Sequence, residues 1–275
     1  VKNLLTQQSL ASVTYYWMEF RDDLTPKWLA GHTEQHGGVD KVGWAKFLMR
    51  LMRTEPEELV VRRVTQKPRG GSGNNPYLAS NRHAMEYTVL IEPLAIAKKV
   101  MTVREQIAAE WSADLDLVEA ENHELMRHHD DTVSLVKEAA ERARQMVFDH
   151  DPYGSNNTPY RGKNYRQLLE LVTATAIRRY ESEMRVRGDR YKLNWLEKFL
   201  HRHGTDNKGN ALLEAMLQGT MVMINDPRRD KPRVIEPTEV AQSIMRLRLA
   251  VAKELAATLA GTADEHVEMR RALLE

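Results

Sequence analysis

The sequence contains no cysteine, and aromatic side chains make up only 7% of its 275 residues. Without cysteine the chain forms no disulfide bonds and no thiolate metal sites, a composition that is usual in a reducing compartment. No apolar run approaches the roughly 20 residues of a membrane-spanning helix, and the first residues lack the pattern of a secretory signal. We therefore expect a soluble, intracellular protein. Since the chain opens on Val1 and Lys2 rather than on Met, an organelle is the narrower expectation, after removal of a targeting peptide.

An excess of charge of one sign is missing as well. The chain carries 40 basic and 39 acidic residues, which gives a net charge of +1 at pH 7. This balance does not by itself predict binding to nucleic acid or to a membrane surface. An anionic partner therefore has to be argued from a local basic patch.

One segment of the sequence occurs twice. Residues 91–115 return as residues 235–259, and both copies open on Ile-Glu-Pro. The identical pairs inside the segment are Ala97 with Ala241, Met101 with Met245, Arg104 with Arg248, Ala108 with Ala252, Glu110 with Glu254 and Leu115 with Leu259. Two further anchors keep the same order, namely Trp28-Leu29 and His36-Gly37 with Trp195-Leu196 and His203-Gly204, and the basic groups at 62–69 and 228–233. The three anchors predict a tandem duplication, with a first module at 1–148, a linker at 149–163 and a second module at 164–275.

The stretch after Pro93 carries a long helical pattern. Apolar residues recur at steps of three and four as far as Met146, and neither Gly nor Pro interrupts residues 94–148. The pattern predicts one helix of roughly 80 Å at about 1.5 Å per residue, which is longer than one module can cover. We predict that it binds a helix of a partner or of a second copy as a coiled coil, through Val118, Asn122, Leu125, His129 and Val136. The alternative is that the stripe meets several elements and that its polar positions, Asn122 and His129, are solvated.

Each predicted module consists of helices, a hairpin and a final helix. In the first module the helices are expected at 4–19, between Pro26 and Gly37, and at 41–53, with strands at 58–65 and 85–91. In the second module they are expected at 165–187, 192–203 and 209–217, with strands at 221–224 and 233–236, a helix at 238–260 and a last short helix after Gly261. The expected fold class is mainly α with small β-hairpins, in an element order that resembles the winged-helix topology.

Histidine and carboxylate residues cluster at 119–131, and this cluster is the best candidate for metal chemistry. Glu119 lies one helical turn before His123, so the two side chains share a helix face. In the zinc-protease pattern the second His stands one residue earlier than His128 does. The favoured interpretation is a solvated charged face, and a metal site at Glu119, His123 and His128 is the less favoured one.

Basic residues concentrate near the tips of the two predicted hairpins, at Arg62, Arg63, Lys67 and Arg69 and again at Arg228, Arg229, Lys231 and Arg233. Two such tips would hold phosphate groups and give salt-dependent binding to a nucleic acid. The alternative is that the charges protect the hairpin edges from pairing with other strands, or form salt bridges within the chain. We favour the alternative, because the aromatic residues of single-strand binders are not interleaved with the basic ones.

The sequence predicts no catalytic residue, no cofactor and no small-molecule substrate, because its nearest matches to nucleophile and phosphate-loop motifs each fail at a required position. The leading functional hypothesis is a non-catalytic interaction protein, that is, a scaffold, an assembly factor or an accessory subunit of a larger complex. The second hypothesis is a nucleic-acid-binding protein that uses the basic hairpin tips. The third is a metal-dependent enzyme.

Overall fold

A computed structural model of the chain describes residues 1–64, 84–130, 161–203, 209–224 and 232–274. The first half begins with the helices α1 (Lys2–Glu19), α2 (Leu24–His36), α3 (Val39–Val42) and α4 (Trp44–Arg53). They are followed by the strands β1 (Glu57–Val64) and β2 (Ala84–Ile91) and by the helices α5 (Pro93–Asp116) and α6 (Val118–Asp130).

The second half has a similar order of elements. Its helices α7 (Arg161–Arg187), α8 (Arg190–His203) and α9 (Asn210–Leu217) precede the strands β3 (Val222–Ile224) and β4 (Arg233–Ile235) and the helices α10 (Pro237–Ala260) and α11 (Thr262–Leu274). The predicted fold class, mainly α with small β-hairpins, is confirmed. None of the described helices combines the length and the apolar character that a membrane span requires.

Both sheets are antiparallel hairpins of two strands. The first hairpin has eight residue pairs, from Glu57 opposite Ile91 to Val64 opposite Ala84. The second has three, and its central pair is Met223 opposite Val234. The period-two spacing of apolar residues before Ile91 predicted a strand, and that prediction is confirmed because alternate residues of a strand point to one face.

The prediction of one unbroken helix across 94–148 is wrong. Helix α5 ends at Asp116 and α6 begins at Val118, with Leu117 in a turn between them. The Leu117 amide donates to the carbonyl oxygen of Asp114 at 3.2 Å, a three-residue step that closes the end of α5. Leu115 and Val118 on either side are both buried. The turn therefore changes the direction of the chain, so that apolar residues on both sides of it stay buried, as they would not along one straight helix. Residues 131–148 of the predicted helix lie outside the described residues.

The third helix is also divided. Gly43 has a φ of 83° and separates α3 from α4, because a residue without Cβ adopts this left-handed conformation at little cost. On α4, Phe47, Leu48 and Leu51 are buried, and Trp44 at its first position is only partly buried.

Contacts between α-carbons divide the chain into two compact units, residues 1–8 with 104–265 and residues 9–103 with 266–275. The predicted modules follow the repeat instead, and their boundaries remain a prediction. Most of the predicted linker at 149–163 lies outside the described residues, and its last three residues begin α7.

Helices α1 and α7 end in the same way. Arg21 has a φ of 59° and Gly188 a φ of 70°, so at both places the chain leaves the helix through a residue in the left-handed conformation. Asp22 and Asp189 come next, and each accepts a hydrogen bond on Oδ1 from the amide three residues later, at 3.1 and 3.2 Å. The following helix is thereby capped at both places.

Helices α2 and α8 each carry a row of three neighbouring rings, of which the first two are stacked and the third is tilted. Adjacent ring centroids are 5.1 and 4.6 Å apart in the first row, and 5.2 and 4.6 Å apart in the second. The rows are Trp28, His32 and His36 in α2, and Trp195, Phe199 and His203 in α8. Spacing at every fourth residue places three rings on one side of a helix.

Candidate functional site

The most concentrated polar site of the described chain is buried around Glu121 of α6. Arg248 of α10 is fully buried, and its Nη2 atom is 3.3 Å from Oε2 of Glu121. The same carboxylate accepts hydrogen bonds from Nδ2 of Asn210 at 3.0 Å and from the hydroxyl of Tyr165. Three donors from three different helices therefore converge on one buried carboxylate.

Asn122 completes the site on the next residue of α6. Its Oδ1 atom accepts a hydrogen bond from Nη1 of Arg248 at 3.2 Å, and its Nδ2 atom donates to the carbonyl oxygen of Met245 at 3.0 Å. This residue was predicted to lie on a coiled-coil seam with a partner helix, or else in solvent. Its partners in the structure belong to α10 of the same chain, so α10 occupies the place that was expected for a partner helix.

Of the other predicted seam residues, two are buried within the chain and two lie wholly or partly outside the described residues. Val118 and Leu125 are buried in the interior, where α6 packs against α9 and α10. A side chain that the chain itself covers has no surface left for a partner. The side chain of His129 and the whole of Val136 lie outside the described residues, so only that end of the seam remains a prediction.

A second buried pair repeats the first with the halves exchanged. Arg104 of α5 is fully buried, and its Nη2 atom is 3.3 Å from Oε2 of Glu265 in α11. The same number of residues separates Arg104 from Arg248 as separates Glu121 from Glu265. Arg104 is equivalent to Arg248 in the repeat, and Glu121 is equivalent to Glu265. Each arginine therefore pairs with a glutamate from the other half of the sequence.

Burial sets the electrostatics of these groups. Desolvation lowers the pKa of Arg248 and of Arg104, and the glutamate beside each arginine opposes that effect. Burial and then the nearby Glu121 raise the pKa of the Tyr165 hydroxyl well above its ordinary value, so the phenol stays protonated and keeps donating. The pKa of Asp114 rises to about 6, chiefly through burial and then through Glu110 and Glu121.

The arrangement of this site suits a structural role, in which buried hydrogen bonds and an ion pair connect helices. Glu121 already accepts three hydrogen bonds, which leaves the carboxylate little capacity to act as a general base. Breaking a buried pair leaves an uncompensated charge, so such pairs fix the arrangement of the elements that carry them. Sequence reasoning missed this role, although one signal was available, since Arg104 and Arg248 match in the repeat and lie within an apolar stripe.

The predicted metal ligands do not form a site in the described part of the chain. Glu119 and His123 are exposed on α6, and the side chain of His128 lies outside the described residues. Among the described residues no group of three or more His, Asp or Glu side chains is close enough to hold an ion.

The predicted anion-binding residues are only partly within the described chain. Arg62 and Arg63 are strand residues of β1, and Arg62 stands opposite Glu86 of β2. Arg233 of β4 lies over the Tyr191 ring at 4.7 Å, and its Nη1 atom is 3.5 Å from Oδ1 of Asp189. That arginine is therefore engaged within its own chain, while Lys67, Arg69, Arg228, Arg229 and Lys231 lie outside the described residues.

Two surface grooves lie between helices of the described chain. One, of about 540 Å³, is lined by α5, including Glu105 and Asp116, and by the junction of α10 and α11. Another, of about 260 Å³, lies between α7, α8 and α10 and contains Arg187 and Lys192. Both cations already pair with glutamates, at 3.4 and 2.9 Å.

The hairpins instead present apolar side chains to solvent. On the first hairpin Val60 is 64% exposed and Leu90 is 52% exposed, and the register places both on one face. On the second hairpin the directly opposed Met223 and Val234 are 72% and 46% exposed. On the first hairpin these two apolar residues share their face with Glu58, Glu86 and Thr88, whereas the Met223–Val234 pair forms an exposed apolar face on the second hairpin. Comparison of the whole chain with protein-family models, with curated proteins and with solved structures gives no match.

Proposed function

We propose that this protein is a non-catalytic interaction protein whose two hairpins are its contact elements. The supporting observation is the exposure of Val60 and Leu90 on the first hairpin and of Met223 and Val234 on the second. Contiguous exposed apolar surface costs solvation free energy, and in folded proteins it commonly marks a site of protein–protein contact. A hairpin of two strands is also only marginally stable by itself and gains from a further covering element.

The buried ion pairs fit the same proposal. They hold the helices in a fixed arrangement, as a platform for a binding element requires, because a rigid support lowers the entropy cost of association. Scaffold, assembly factor and accessory subunit are all consistent with such a protein.

The proposal includes a tandem duplication of one ancestral module. The reciprocal pairs of Arg104 with Glu265 and Arg248 with Glu121 support it, and so do the matching helix ends at Arg21 and Gly188. A duplicated chain carries two hairpins from the outset, and therefore two contact elements. Two linked contact elements bind a repeated partner more tightly than one does, through their effective concentration.

Site-specific photocrosslinking in the full-length protein tests the contact elements. A photoreactive residue replaces Leu90 or Met223 on the hairpins, and in two control variants it replaces Val186 or Val267, which are exposed on helices. In native extract we expect each hairpin position to give discrete adducts, and the helix positions to give none of them. Equal adduct patterns from all four positions, or no adducts from the hairpins, would contradict the proposal.

A further inference from the structure

We infer that the outer edge of β1 pairs with β1 of a second copy of the chain, so that two hairpins join into one four-stranded antiparallel sheet. The inference rests on the proposed function, because it names the occupant of one of the two proposed contact elements. Its observations are the open edge, the exposed apolar residues and the order of charges along β1.

The edge comes first. Strand β1 is hydrogen-bonded to β2 along one side, and the described chain supplies no third strand to the sheet. An uncovered strand edge is a row of backbone donors and acceptors that favours pairing with another strand. Val60 in the middle of β1 is also largely exposed, so a second strand would cover apolar surface as well as backbone.

The order of charges decides which strand fits. Reading along β1, two glutamates are followed by three apolar residues and then by two arginines: Glu57, Glu58, Leu59, Val60, Val61, Arg62 and Arg63. Two such strands aligned antiparallel about Val60 place each glutamate opposite an arginine of the other copy. Opposite charges that face each other across strands stabilise pairing, and like charges oppose it.

The register is also selective. Sliding one strand by two residues in one direction places an arginine opposite Leu59, and sliding it by four in the other places Glu58 opposite itself. Only the alignment about Val60 pairs all four charges of each strand and all of its central apolar residues. Strand register is set by such patterns of side chains.

The combined sheet continues the apolar rows that each hairpin already has. In the hairpin Leu59 stands opposite Val89, and Val61 stands opposite Tyr87. In the dimer Leu59 of each copy lies opposite Val61 of the other, which gives two rows of four apolar side chains, one on each side of the two-fold axis. The contact is isologous, as expected for a two-fold symmetric dimer.

Glu58 and Arg62 are the pair for a test, with E58R as the cleaner single variant, because R62E also places a glutamate opposite Glu86 of its own hairpin. The Glu57 carboxylate already accepts a hydrogen bond from Trp28 Nε1 at 2.6 Å, so a change there would also disturb the base of the hairpin. Glu58 is exposed. Reversing its charge therefore leaves the packing of its own chain intact.

Sedimentation velocity of the full-length protein over a range of concentrations tests the inference. The wild type is expected to dimerise, and E58R and R62E are each expected to raise the dimer dissociation constant about tenfold or more. V60K, at the two-fold axis, is expected to act in the same direction. V186K is the control, since it places the same charge on an exposed helix position, and it should leave dimerisation unchanged.

Mixing E58R with R62E gives the decisive result. In the mixed pair each changed position faces an unlike charge of the other copy, so the heterodimer is expected to be tighter than the homodimer of either variant. Mere damage to the fold would not be repaired by mixing. A monomeric wild type at every concentration, or dimers that E58R and V60K leave intact, would overturn the inference. If hairpin crosslinks then reach a different protein, the proposed function stands and only this occupant is wrong.

Discussion

Arg248 and Glu121 form an ion pair in the interior of the chain, with Nη2 of the arginine 3.3 Å from Oε2 of the glutamate. Their counterparts in the repeated segment and its continuation, Arg104 and Glu265, form a second pair at the same distance. The arginine of one half is thus neutralised by the glutamate of the other half in both cases. The proposed tandem duplication of one module would produce an exchange of this kind.

The two pairs differ in surroundings, and their glutamates give a matched comparison. Glu121→Gln leaves the buried Arg248 without a countercharge and is expected to lower the free energy of unfolding by about 3–5 kcal/mol. Glu265→Gln is expected to cost less, because Glu265 is partly exposed and the neighbouring Glu105 also favours the charged form of Arg104. Urea unfolding of both variants measures the difference. Equal losses would contradict the structural account of these pairs.

The raised pKa of Asp114 predicts that replacing this aspartate stabilises the protein at neutral pH but not in acid. The folded-state pKa is about 6, above the value of about 3.9 of an unperturbed aspartate. Its contribution to stability is therefore present below about pH 3.9 and is lost as the pH rises through 6. Asp114→Asn should raise the unfolding free energy at pH 7.5 by on the order of 1–2 kcal/mol, since Asp114 is only partly buried, and should give no gain at pH 4. The exposed Asp116→Asn is the control, and an equal gain at both pH values would refute the prediction.

The lowered pKa of His32 predicts that the folded protein loses stability in acid. Burial, followed by His36 and Arg50, lowers the pKa of His32, so the folded state takes up a proton less readily than the unfolded chain. Stability from this source is complete above the ordinary histidine pKa of about 6.5 and declines as the pH falls through it. His32→Phe introduces the ring that Phe199 supplies in the other row. Thermal unfolding at pH 7.5 and pH 5 should show a smaller loss for this variant, whereas the same loss as in the wild type would count against the prediction.

The two helix ends at Arg21 and Gly188 allow a reciprocal exchange. Gly188→Arg is expected to lower the unfolding free energy by about 1 kcal/mol, because a side chain at positive φ is strained although the space around it is open. Arg21→Gly relieves that strain, and we expect a small gain of about 0.5 kcal/mol after the greater freedom of glycine in the unfolded chain is offset. Chemical denaturation measures both. A gain from Gly188→Arg would be inconsistent with this account.

The sequence was informative where a pattern is local. Period-two alternation located β2, and Gly37 and Gly261 marked helix ends, because these signals depend only on neighbouring residues. The break at Leu117 had no such signal, since nothing in the run from 94 to 148 disfavours a helix. Tertiary packing of Leu115 and Val118 sets that turn.

The candidate site was harder to predict for the same reason. Glu121 was part of a charged run that the sequence presented as a solvated face, while Arg248 lay more than a hundred residues away. Whether a charged side chain is solvated or paired in the interior depends on which elements pack together, and periodicity does not contain that information. The exposure of Val60 and Met223 could not be predicted for a related reason, because the alternation of residues along a strand does not show which face of the sheet is covered.

Hydrogen–deuterium exchange of the full-length wild type and of V60K, each at a low and a high protein concentration, tests the central claim that the hairpins are contact surfaces. The account predicts that the amides of β1 exchange more slowly in the concentrated wild type and that V60K abolishes this protection, while the helices exchange at the same rate throughout. Identical β1 exchange in all four samples, together with no slowing in either hairpin when native extract is added, would contradict it.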